Sequence, residues 1–188
     1  MTEAEWLAST DPTPMLEFLR GKVSDRKLCR VSLAILTADM ALDTNREYRT
    51  RMEIASRFAD GKASLEALRE SWGVEGNTWP ERAYEWASEV TAGEVTDNPA
   101  AAVTIVKILH DILGNPFHPI AVDPSWLASD VRILAEGIYQ ERAFDRMPIL
   151  ADALQDAGCD NDDILNHCGG DGPHVRGCWV VDLVLGKS

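Results

Sequence analysis

The chain has 188 residues, 45% hydrophobic and 26% charged, the proportions of a globular protein long enough to bury a core without disulfides or metals. Its 31 acidic residues against 18 basic ones give a formal charge of −13, which repels phosphate backbones and argues against nucleic acid as a partner. The start, Met1-Thr2-Glu3-Ala4-Glu5-Trp6, lacks the features of a secretory signal, and no apolar run approaches a membrane span, so the expectation is cytoplasmic, with no membrane partner.

Helix signals recur along the chain and strand signals hardly appear. Thr2 is placed to cap a short first helix that turns Trp6 and Leu7 inward and ends at Asp11-Pro12. Pro14 opens a second helix, closed by Gly21. Ser24-Asp25 begins a longer one, with Leu28, Val31, Ile35 and Leu42 on one face and Leu36 and Met40 beside them. A fourth is expected from Asn45 to Ala59, burying Tyr48, Met52, Ala55 and Phe58-Ala59. Ser64 caps a short helix through Trp72. Thr78-Trp79-Pro80-Glu81 has the spacing of a capping box, and the helix it opens buries Ala83, Trp86, Ala87 and Val90.

Gly93 to Asp97 reads as a hinge, so the organisation expected is a single helical domain, 1–188, with a candidate sub-division into 1–92 and 98–188. Asn98-Pro99 starts an apolar helix striped by Val103, Val106, Leu109 and Leu113 and widened by Ile105, Ile108 and Ile112. The proline-broken stretch Phe117 to Ser125 is a loop. Ser129-Asp130 caps the next helix, with Val131, Leu134, Ala135, Ile138 and Tyr139 inward. Asp145 opens another that carries Ile149, Leu150, Ala153 and Leu154 and stops at Gly158. Asn161 to Cys168 gives two turns, Gly169 to Gly172 breaks them, and a terminal helix is expected from near Pro173 to Gly186, with Val175, Trp179, Val180, Leu183 and Val184 buried. The fold class is all-α: a compact multihelical domain of about ten short helices.

Asp145 to Gly186 resembles the helix-pair repeat of HEAT-type solenoids, on Ala151-Asp152-Ala153-Leu154 before Gly158, Val175-Arg176 opening the second helix, and Leu185-Gly186 at its end. The chain also resembles an uncharacterised family of small bacterial proteins. The shared segments are its first six residues, Leu16-Glu17-Phe18-Leu19-Arg20-Gly21-Lys22, Gly114-Asn115-Pro116-Phe117, Ala143-Phe144-Asp145-Arg146 and His174-Val175-Arg176-Gly177-Cys178-Trp179. Members of that family often carry a cysteine-richer third helix, where this chain has Cys29. The resemblance implies a helical fold and no chemistry.

Three of four cysteines and two of four histidines fall within twenty positions near the end. Cys159, Cys168, His174 and Cys178 are the candidate ligands of a tetrahedral zinc site, with His167 as the alternative nitrogen donor. Against this, the paired spacing of two cysteines separated by two to four residues is absent, and free cysteines commonly pack as small hydrophobes. Cys178, His174 and Asp182 also suggest a nucleophile, base and orienting acid, although residues on one helix project in parallel and seldom meet. Asp182, flanked by valines and leucines, is expected to face solvent or to pair with Arg132, Arg142 or Arg146. The glycines at 169, 170 and 172 lack the lysine and hydroxyl of a phosphate loop. The function expected first is a non-enzymatic interaction or scaffold module that binds another protein. The alternatives are a zinc-binding protein and a cysteine-dependent hydrolase or transferase.

Overall fold

The structure is a computed structural model that describes residues 1–39, 46–71, 79–98 and 100–187. Among the described residues there are eleven α-helices, two short 3-10 turns and no strand, the all-α class that the periodicities indicate. The chain divides into two compact units, Met1–Leu109 and His110–Ser188. The division falls inside a helix. The expected hinge, Gly93 to Asp97, is instead the last part of a continuous helix.

In the first unit, α1 (Glu3–Leu7) is opened by a complete capping box. The Thr2 amide donates to Glu5 Oε2 at 2.7 Å and the Glu5 amide to Thr2 Oγ1 at 3.3 Å. Trp6 is fully buried, but Leu7, expected beside it, is 58% exposed. Asp11 rather than Pro14 starts α2 (Pro12–Leu19), its carboxylate accepting from the Thr13 amide at 2.9 Å. The helices α3 (Asp25–Asp39), α4 (Arg46–Ala59), α5 (Leu65–Ser71) and α6 (Trp79–Asp97) follow. Of these, α3 packs on α4 and α6, α4 on α5, and α2 on α6. Leu28, Val31 and Ile35 are buried as their spacing requires, together with Cys29. The capping box at Thr78 and the inward places of Met40, Leu42 and Trp72 lie outside the described residues, and the side chains of Tyr48, Ala83 and Trp86 are outside what is described. Arg30 and Asp60 form a buried ion pair between α3 and the end of α4, and Arg26 Nε donates to the Ala59 carbonyl at 2.7 Å.

The helix α7 (Ala101–Leu113) buries Ile105, Val106, Ile108, Leu109 and Ile112, while Val103, expected on its stripe, is 53% exposed. The buried face is thus rotated from the one read in the sequence, and it brings Asp111 inside.

In the second unit, 3-10 turns at Pro124–Trp126 and Phe144–Arg146 flank α8 (Ser129–Glu141), and α9 (Met147–Asp156), α10 (Asp162–Gly169) and α11 (Trp179–Leu185) complete it. α8 packs on α9 and α11, and α9 on α10. Val131, Ala135, Ile138, Leu150, Leu154 and Val180 centre the core. Asn161 caps α10 by accepting from the Ile164 amide at 3.0 Å. The segment expected to form a HEAT-type pair holds α9, α10, a loop and the seven-residue α11. Its last helix begins at Trp179, six residues later than Pro173 suggested. Gly177, at φ +105°, turns the chain out of the helical region just before it, and the Val175 amide donates to the Asp111 carboxylate at 2.9 Å.

Candidate metal centre

Four side chains from four places in the second unit converge. Asp111 comes from the last turn of α7, His167 from the last turn of α10, His174 from the loop after it, and Cys178 from the residue capping α11. One donor atom from each lies within 4.8 Å of every other. His174 Nδ1 is 2.9 Å from Asp111 Oδ1, and His167 Nε2 is 3.1 Å from the same oxygen and 3.2 Å from Cys178 Sγ. A tetrahedral zinc ion, with bonds of about 2.0–2.1 Å to nitrogen and oxygen and about 2.3 Å to sulfur, sets its donors about 3.3–3.6 Å apart. The three separations of 2.9–3.2 Å are a few tenths of an ångström tighter than those edges, and the other pairs of the quartet lie within 4.8 Å.

The outward atoms are engaged elsewhere. Asp111 Oδ2 accepts the Val175 amide at 2.9 Å, and His174 Nε2 lies 3.4 Å from the Gly170 carbonyl. A carbonyl can only accept, so Nε2 donates in that contact, while Nδ1 donates to the Asp111 carboxylate in the metal-free centre and would give up that proton to a bound ion. The rings of His167 and His174 meet edge to face with centroids 4.9 Å apart, and the Trp179 indole lies 5.2 Å from His167. Two glycines permit this approach. A Cβ at Gly114 (φ +64°) would stand 3.1 Å from the Trp179 indole, and one at Gly172 (φ +75°) 2.8 Å from the His174 amide nitrogen.

The electrostatics follow from crowding acceptors out of water. Burial acts most strongly on Asp111 and favours its neutral form. Hydrogen bonds from His167 and His174, the His167 charge and the Val175 amide outweigh it and hold the carboxyl below its ordinary value. For His174 burial is again the largest influence and lowers the pKa, but the Asp111 bond and charge, with the Gly170 carbonyl, raise it on balance. Burial, then the Asp111 charge, pushes the Cys178 thiol well above its usual range, with the amides of Val181 and Val180 pulling partly back. Without a metal, protons must therefore fill the space between these donors. A divalent cation would displace them.

Of the four ligands expected from the sequence, His174 and Cys178 are brought together here. Cys159 and Cys168 are buried in the apolar core and stand outside the converged quartet. Burial first, then the charges of Asp111 and Cys159, pushes the Cys168 thiol up to about 12. His167, the alternative nitrogen donor, is part of the quartet; Asp111 was not foreseen. His174 and Cys178 do not share a helix face, since neither lies within α11. Asp182 is buried rather than solvent-facing; of the arginines expected to meet it, Arg146 lies 3.3 Å from Glu141 and Arg132 Nε donates to the Leu127 carbonyl. All four cysteines are free and buried.

No family model, curated protein or solved structure matches the chain. The chemistry of the centre therefore rests on its own geometry.

Proposed function

We propose that the second unit is a zinc-binding module whose ion is held by Asp111, His167, His174 and Cys178. The observation that carries this is the convergence of one ligand atom from each residue within 4.8 Å of the others, while Asp111 Oδ2 and His174 Nε2 are tied off by the main chain. Zinc has no geometric preference of its own and accepts oxygen, nitrogen and sulfur together, whereas magnesium and calcium favour oxygen alone. Four protein donors leave no open position, so the ion serves as a staple joining the end of α7, α10, the loop and α11. Cys159 and Cys168 act in this reading as packed thiols, and a reducing cytoplasm keeps the Cys178 donor available.

The arrangement favours ligation over a thiol hydrolase. A catalytic histidine faces its nucleophile through one ring nitrogen and its orienting acid through the other. Here His167 turns the same Nε2 toward both Cys178 and Asp111. For a protein-interaction module the exposed Ile133 and Ile149 on α8 and α9 are no support by themselves, being single side chains of a kind common on any surface. A HEAT-type stacking adds nothing to this role.

Elemental analysis of protein purified without a metal-affinity tag tests the proposal. About one zinc per chain is expected, retained by Cys159→Ala and reduced below about a tenth by Cys178→Ser. Wild-type protein with less than about a tenth of an equivalent, in zinc-supplemented growth, removes the reading.

A further inference from the structure

Arg176 stands two residues after His174 and two before Cys178, and its guanidinium reaches away from both. Its Nε and Nη2 donate to the Tyr139 carbonyl at 3.1 and 2.9 Å, and Nη2 donates to the Gln140 carbonyl at 3.1 Å. The guanidinium carbon lies 5.1 Å from the Tyr139 ring centre. Both carbonyls belong to the last turn of α8, where they have no amide from a following turn and where the helix dipole favours a cation. A planar fork of this kind fixes direction as well as distance, which a lysine ammonium does not.

The loop from Gly170 to Gly177 has no regular structure, and its glycines leave its backbone a wide conformational range. Its contacts through the Val175 amide and the His174 ring run to Asp111, itself a donor of the centre. Arg176 ties the same loop to a point outside the centre. We propose that Arg176 is a positioning residue for the metal: by seating the loop on the carboxy end of α8, it sets His174 and Cys178 at the separation the ion requires before the ion arrives. This deepens the zinc reading and rests on it.

Cobalt(II), which reports its ligands spectroscopically, is titrated into the metal-free full chain as wild type, Arg176→Gln, Arg176→Lys and Val184→Ala. Val184→Ala, buried in the same core on α11, controls for general loosening. Arg176→Gln is expected to bind cobalt about 10–100-fold more weakly and to show a diminished thiolate-to-cobalt charge-transfer band at saturation, as for other groups that orient ligands. Arg176→Lys recovers part of both, and Val184→Ala stays within about twofold of wild type. Affinity of Arg176→Gln within about twofold of wild type overturns the proposal and leaves the zinc reading standing. An equal loss in Arg176→Gln and Val184→Ala overturns it too, since the effect would then be packing alone. If Arg176→Gln does not fold, Arg176→Lys decides on the same twofold criterion. Wild-type protein that binds no cobalt contradicts the zinc reading itself.

Discussion

Arg30 and Asp60 in the first unit and Asp111 in the second are all withdrawn from water, yet their surroundings differ in kind. Asp60 meets a guanidinium, a permanent cation, so the carboxylate's charge is balanced within the chain. Asp111 meets two imidazoles, one of which also faces a thiol, groups that become acceptors when they lose their protons. The first arrangement carries its own counter-charge. The second is complete only when protons or a metal ion supply the missing positive charge. The contrast separates a structural ion pair from a site, although both bury a carboxylate.

The largest effect that breaks this contrast is expected at the centre. Asp111→Asn removes the shared anion while keeping its shape, and should weaken zinc binding by more than about a hundred-fold, read by competition with a chromophoric chelator. Next is the ion pair. Asp60→Ala leaves the Arg30 charge buried and should cost about 3–5 kcal/mol in urea unfolding, while zinc content stays at the wild-type level. Replacing both partners, as Arg30→Met with Asp60→Leu, should recover most of that loss. If Asp60→Ala instead strips the zinc, the two units are not distinct in the way argued.

A smaller effect belongs to Gly172→Ala, whose new methyl group would crowd the His174 amide, and which should lower zinc affinity about tenfold with Cys178 still labelled only slowly. The smallest is a pH effect in the first unit. Burial first, then the Asp25 charge, pushes the Cys29 thiol from its usual 9.0 up to about 12, with Arg30 pulling partly back. Its folded value lies above the unfolded one, so its contribution is whole below about pH 9 and lost as pH rises toward about 12. Urea midpoints should therefore fall between about pH 8 and pH 10.5, and Cys29→Ala should flatten part of that slope. An unchanged slope in the variant would assign the loss to other groups.

Much of the fold was legible because it is written at short range. Leu28, Val31 and Ile35 mark a helix face within eight residues, and Asn161 announces the start of α10 by itself. The start of α11 was misplaced because Gly177, at φ +105°, interrupts an apolar period that otherwise runs on from Val175. Within the site, His174 and Cys178 were visible as local chemistry. Adjacent residues on a helix point about 100° apart, so of His167 and Cys168 only one can face the centre; the structure turns His167 to it and Cys168 into the core. Asp111 left one signal, an acid set between Leu109 and Ile112 on a strongly apolar helix, where an uncompensated charge is costly.

The set of atoms bound to the ion tests the account most directly. Zinc X-ray absorption on the full chain should resolve one sulfur at about 2.3 Å and three nitrogen or oxygen donors at about 2.0–2.1 Å. A shell of two or three sulfurs would instead place Cys159 or Cys168 on the metal and contradict the centre described here.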